Sequence, residues 1–169
     1  MRLLSAALAA SLLASAMLAH DYTSGNITIG HPFSYETIST ARTAGGFLSI
    51  TNAGDTPDRL IAVEAPVERV ELHRTEQDAN GVNRMVEQEG GVVIPAGETV
   101  TFEHGSWHVM FFGLPEGGFG DGDRIEAVLV FEQAGEIPVI FNVEARGGGH
   151  DRHGDHDEHE AGMDRDHDH

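Results

Sequence analysis

Neither cysteine nor lysine occurs anywhere in the 169 residues. The first absence excludes disulfides, thiolate metal sites, iron–sulfur clusters and a cysteine nucleophile. A soft metal site in this chain must therefore be assembled from methionine and histidine. An electron-transfer blue-copper centre is excluded as well, because it needs a thiolate. The second absence leaves arginine as the only fixed cation, and 10 arginines against 28 Asp and Glu give a formal charge of −18. A chain this acidic is not held to nucleic acid by phosphate contacts. Also missing is any pairing of nucleophile with base, any paired-carboxylate acid/base motif, and any glycine run with phosphate-loop or dinucleotide spacing. The expectation is a binding protein and not an enzyme.

Long apolar runs are scarce, and the one present is terminal. Residues 1–19, MRLLSAALAASLLASAMLA, carry a single arginine, then Leu and Ala, then small residues. This is the layout of a secretory signal peptide. The run is short and lacks stop-transfer charges, so no stable membrane span is expected after cleavage. Cleavage fits after Ala16 or after Ala19; the second would leave His20 as a terminal residue whose amine and imidazole can chelate a divalent ion. Export to the periplasm agrees with the lack of cysteine, since thiol sites are unreliable in an oxidising compartment.

From about Ile27 to Glu144 the chain reads as short strands separated by turn signals. Phe47–Thr51 precedes Asn-Ala-Gly-Asp, Arg69–His73 alternates, Val92–Ile94 runs into Pro-Ala-Gly, and Thr99–Phe102 alternates again. Ile125, Ala127, Leu129 and Phe131 share one parity, as do Ile137, Val139, Phe141 and Val143. No stretch keeps a 3.6-residue apolar period for three turns. Seven or so strands of this kind predict an all-β domain, an antiparallel Greek-key β-sandwich or barrel. Pro138 marks its strand as an edge or an irregular start, and His31, which precedes Pro32, is expected to be extended.

Within that domain the chemistry-bearing residues are few. In a strand, residues two apart project from one face, so His108 and Met110 point together while Trp107, Val109 and Phe111 point the other way. The bulky apolar trio is the natural core face, which leaves His108 and Met110 facing outward. By the same alternation Val70 and Leu72 point inward and His73 and Glu71 outward. Met85 follows after a turn signalled by Asp78-Ala79-Asn80-Gly81. Two imidazoles and two thioethers can thus converge from three segments, a set that suits Cu(I), because thioether sulfur is scarcely used by Zn(II), Ca(II) or Mg(II). His104, in the turn before the His-x-Met strand, reads as a solvated turn residue, and Glu71 and Glu87 as solvated carboxylates near the ligands.

GGFLSITNAG, VERVELHRT, a methionine soon after, IPAGETV and GSWHVMFFGL resemble the periplasmic PCu(A)C copper chaperone domain across roughly residues 25–145. The family's ligand pattern is a His, a Met about a dozen residues on, and a distant His-x-Met; His73, Met85, His108 and Met110 match it in order and type. Arg74 stands where many members have a second Met. The resemblance implies a cupredoxin-like β-barrel that binds Cu(I). It also implies a protein that passes copper to an acceptor such as the copper centre of cytochrome c oxidase, with an oxidase subunit or another copper chaperone as partner.

After Ala145 the composition changes abruptly. The last 24 residues hold six histidines, at 150, 153, 156, 159, 167 and 169, among eight acidic residues and three arginines, a net charge of −5. With a triglycine hinge and no apolar face to bury, residues 146–169 are expected to be a disordered tail. Nitrogen and oxygen donors of this type favour Cu(II), Ni(II) or Zn(II), so His150, His153, His156, His159, His167 and His169 form a second candidate metal-binding set, with capture of Cu(II) as its expected task. The expected organisation is a signal peptide at 1–19, a copper-binding β-domain at 20–145 and the tail at 146–169. The competing function is a zinc, nickel or copper buffer that acts mainly through the tail.

Overall fold

A computed structural model describes residues 21–147. The signal peptide, His20 and the histidine-rich tail lie outside the described residues. The domain between them is built from eleven strands: β1 (Tyr22–Ser24), β2 (Ile27–Tyr35), β3 (Thr43–Asn52), β4 (Asp58–Glu64), β5 (Arg69–Gln77), β6 (Asn83–Glu87), β7 (Val92–Ile94), β8 (Thr99–Phe102), β9 (Trp107–Phe112), β10 (Arg124–Phe131) and β11 (Gly135–Glu144). Every strand read from alternation is present, and the all-β expectation holds. The additional ones are the short β1, the exposed β6 and others whose alternation is broken by glycine or charge.

The strands form one sheet in the order β6-β5-β9-β8-β3-β2-β11-β10-β4-β7, with β1 paired to β2. The sheet is mixed, and this corrects the expectation that its strands pair only antiparallel. β11 runs parallel to β2 through Asn142, Val143 and Glu144. β8 and β9 run in the same direction, because both pair antiparallel with β3: β8 along Leu48–Thr51, β9 along Thr43–Gly46. The turn between them, closed by Ser106 N–H donating to the Glu103 carbonyl, is a detour that returns the chain to its course rather than reversing it. Gly105, at φ +80°, supplies the left-handed residue that this tight detour needs.

The sheet is strongly curled. β5 is next to one edge and β4 next to the other, yet β4 packs beside β5. Curling encloses one face, and the alternating apolar residues fill it. Ile125, Ala127, Leu129 and Phe131 of β10 and Ile137, Val139, Phe141 and Val143 of β11 are all buried, with Ile29, Ile50, Leu60, Phe102, Val109 and Phe111. Burying each large apolar side chain contributes about 1.5–3 kcal/mol before entropy is counted.

Two local expectations are modified. β11 is not an edge strand, since β10 and β2 flank it. Its β2 pairing is confined to residues 142–144, however, so Pro138 sits where no neighbour on that side requires an N–H, and Ile140 N–H instead donates to the Tyr22 hydroxyl. His31 is not extended: it takes φ +45° at a break in the β2–β3 register between Gly30 and Phe33. Its Nε2 lies 3.1 Å from Glu144, and its ring packs on Phe33 at 4.8 Å between centroids.

Candidate metal centre

β5 and β9 are antiparallel neighbours, and their register sets His73 directly opposite His108 and Glu71 opposite Met110. Directly opposed residues project from the same face. Arg69, Glu71 and His73 of β5 therefore share a face with Phe112, Met110 and His108 of β9. Contacts across the strands agree with this assignment. The His73 and His108 rings lie 5.7 Å apart between centroids, and the Arg69 guanidinium sits 4.5 Å over the Phe112 ring. The opposite face carries Leu72, Val109 and Phe111 into the core. The alternation read from the sequence thus places Leu72, Val109 and Phe111 on the core face as expected.

Exposure differs from the expectation. His108 is only 5% exposed, and the side chains of His73 and Glu71 are 12% and 13% exposed. Around His108 this face is closed into a cleft. Tyr35, Phe47, Met85, His104, His108 and Arg146 are among its walls. Glu71, expected as a solvated carboxylate, is instead a largely covered hydrogen-bond partner of His73. His104, expected to be a solvated turn residue, is exposed but stacks on Phe47 at 5.0 Å and borders the same cleft as His108.

The two methionines flank the imidazole pair on the same face. Met110 is half-buried, opposite Glu71 on one side and Gly45 of β3 on the other. Met85 comes from β6 across the turn at residues 78–82, pairs with Thr75, and is 65% exposed at the cleft wall. The structure therefore brings His73 and His108 together and places Met85 and Met110 one step along the strands to either side. Glu87 is opposite His73 and exposed. Arg74 points to the other face, its guanidinium 4.8 Å over the Trp107 ring, so the departure from the family pattern at that position lies away from the imidazoles.

The hydrogen bonds of the two histidines leave one nitrogen of each unused. His73 Nε2 lies 2.7 Å from Glu71 Oε2; a carboxylate only accepts, so Nε2 carries a proton, and in the neutral ring Nδ1 keeps its lone pair. His108 Nδ1 lies 3.2 Å from the Ser106 carbonyl oxygen; a carbonyl also only accepts, so Nδ1 carries the proton and Nε2 keeps its lone pair. His73 Nδ1 and His108 Nε2 are the two buried side-chain nitrogens without a hydrogen-bond partner among the described residues. Such unpaired buried atoms are costly unless something binds them. Burial pushes the His108 imidazole below its ordinary value of 6.5, the Ser106 bond opposes this, and His73 and His104, when protonated, add to the lowering. The lowering favours the neutral imidazole, the form in which it can ligate a metal.

The donor set is two imidazole nitrogens with two thioethers nearby. Among the described residues no group of three or more His, Asp and Glu side chains converges as a metal site. Harder donors that would favour Ca(II) or Mg(II) are therefore not gathered anywhere in the described domain.

Comparisons with known proteins bear on the same domain. Residues 27–143 match the family model described as "Putative lipoprotein LpqE-like". No curated protein matches the chain by sequence. Among solved structures, the copper-bound PCuAC domain from PmoF2 is 29% identical with a TM-score of 0.63, over 75% of this chain and 98% of that one. The apo PCuAC domain from PmoF1 is 26% identical with a TM-score of 0.64, over 75% and 99%. The Cu(I) form of DR1885 from Deinococcus radiodurans is similar in fold, at 20% identity and a TM-score of 0.54, over 78% and 83%.

Proposed function

The chain belongs to the LpqE-like family and shares the fold of PCuAC domains, one of them copper-bound; from that premise we propose that it is a periplasmic copper chaperone. It binds Cu(I) through His73, Met85, His108 and Met110 and delivers it to an acceptor protein. The observation that carries this reading is the pair of orphaned nitrogens, His73 Nδ1 and His108 Nε2, on adjacent strands and on the same face. Two imidazoles and soft sulfur donors match Cu(I) better than any other abundant divalent or monovalent ion.

Delivery needs a site that holds the ion yet lets it leave. The buried imidazole pair supplies the holding part. Met85, exposed on β6, is the donor that an approaching acceptor reaches first, and exchange of its sulfur for an acceptor ligand begins the transfer. Copper is cargo here, so every ligand must be exchangeable. The acceptor's identity, with the copper centre of cytochrome c oxidase as the one implied by the PCu(A)C resemblance, belongs to this proposal, as does export by residues 1–19. No described helix is long and apolar enough to cross a membrane, and the 169 residues contain no cysteine to which a lipid could be thioether-linked.

Titration of the mature protein with Cu(I) against a chromophoric chelator tests the site. Met110→Ala and His73→Ala are each expected to lower the affinity by at least tenfold, the loss of one soft or imidazole donor. Wild-type affinity in Met110→Ala would remove this methionine from the site, and wild-type affinity in His73→Ala would end the reading.

A further inference from the structure

Glu71 holds a position that a copper site alone does not require. Its carboxylate is 13% exposed and both of its oxygens are engaged: Oε2 accepts from His73 Nε2 at 2.7 Å, and Oε1 lies 3.0 Å from Arg69 Nε. Arg69 is itself steadied, its guanidinium 4.5 Å over the Phe112 ring. Three residues of one strand face, Arg69, Glu71 and His73, thus form a chain anchored on an aromatic ring of the neighbouring strand and ending on a candidate ligand. Contacts at both oxygens, one to each neighbour on the strand face, restrict rotation of the carboxylate.

We propose that Glu71 is a positioning residue that fixes His73 as the Nε2–H tautomer, so that Nδ1 is the nitrogen presented to copper. The inference rests on the reading of His73 as a ligand given above. A neutral imidazole in water chooses between two tautomers. At His73 a proton on Nδ1 would be a buried donor with no acceptor, while Nε2 would face a carboxylate with no proton to share. Both penalties vanish in the Nε2–H form. His108 is fixed in the opposite sense by the Ser106 carbonyl, which takes its Nδ1 proton and frees Nε2. The site is therefore asymmetric, with Nδ1 from β5 and Nε2 from β9. A partner that orients a ligating histidine is typically worth about 10- to 100-fold in metal affinity.

Two-bond proton–nitrogen correlations of the histidine rings in the apo protein read the tautomers directly. The wild type is expected to show Nε2–H at His73 and Nδ1–H at His108; an Nδ1–H tautomer at His73 overturns the proposal without any variant. Glu71→Ala is expected to mix the His73 tautomers and weaken Cu(I) binding by about 10- to 100-fold. Glu71→Gln, whose amide oxygen still accepts the Nε2 proton, is expected to restore the tautomer and recover most of the affinity. A Glu71→Ala protein in which only one of the two readouts moves, or neither, refutes the positioning role. Failure of Glu71→Gln to restore both refutes it too. His73→Ala separates this idea from the one beneath it: if that variant keeps wild-type Cu(I) affinity, the ligand reading fails, whereas loss there with no loss in Glu71→Ala sinks the positioning role alone.

Discussion

His108 stands under two opposing demands, a core-like burial and a nitrogen that must stay available. Burial is the largest influence on its imidazole and lowers its proton affinity below the ordinary value of 6.5. The consequence for stability has a definite sign. Below about pH 6.5 the unfolded chain takes up a proton at this residue that the folded chain resists, so the apo protein loses stability as the pH falls from there toward the lowered folded value. Below that lowered value both states are protonated and this contribution to the slope ends. Urea midpoints of apo wild type and His108→Leu, followed from about pH 7.5 to pH 5, are expected to diverge in slope, with the variant flatter. Equal slopes would mean that His108 titrates as an exposed histidine does. The same burial explains why the sequence revealed the residue but not its setting. Alternation assigns His108 to the face away from Val109 and Phe111, which is correct. That face is then covered by Tyr35, Phe47 and Met85, residues 23 to 73 positions away in sequence, and no local pattern announces it. Glu71 is the same case. A carboxylate between Val70 and Leu72 reads as solvated until β9 and the sheet's curl close over it.

At the level of the strands, what was legible was which residues alternate, and what was not was register. His73 and His108 are 35 positions apart in sequence; their opposition depends on where β9 joins β5, and this is fixed in turn by where β9 joins β3. Gly46 is the tightest point of that second junction. It pairs with Val109, and a Cβ added there would lie 2.8 Å from Phe111 Cε2 and 3.0 Å from Phe141 Cε1. Those two rings already pack edge-on at 5.5 Å between centroids, so neither can withdraw without disturbing the core. Gly46→Ala is expected to destabilise the domain by about 1–3 kcal/mol, the usual cost of overpacking. Because any relief shifts β9, it should also weaken Cu(I) binding although residue 46 touches no ligand. Gly90→Ala serves as the control, since nothing lies within 4 Å of its added Cβ. Denaturant midpoints and chelator competition on both variants check the claim; a Gly46→Ala protein as stable as the control would show that β3 and β9 are not closely seated. The same register logic explains the parallel pairings. A turn such as Glu103–Ser106 looks like a hairpin in sequence, and only β3, long enough to pair with both β8 and β9, reveals that the chain resumes its direction.

Across the whole molecule two donor sets of different character share one acidic chain. The domain offers imidazole and thioether, donors that discriminate in favour of Cu(I). The last 24 residues offer six histidines among eight carboxylates, donors that suit Cu(II), Ni(II) and Zn(II). Of the formal −18, the tail accounts for −5 and the rest of the chain for −13; this charge draws any cation toward both sets but selects none, and it is screened beyond about 8 Å at physiological salt. Selection therefore lies in the ligands, and the two sets should be separable by oxidation state. Deleting residues 147–169 is expected to lower the Cu(II) and Zn(II) stoichiometry while leaving the Cu(I) affinity of the domain unchanged, and His73→Ala is expected to do the reverse. Metal analysis after dialysis, together with Cu(I) competition on the same two variants, decides between a chaperone with an auxiliary collector and a buffer that acts through its tail. Were zinc or nickel occupancy to follow the tail while Cu(I) bound weakly to every variant, the buffer would be the better account. Were the deletion to weaken Cu(I) binding as well, the tail would have to supply a ligand to the core site, and the separation of soft from hard donors would no longer describe how this chain divides its work.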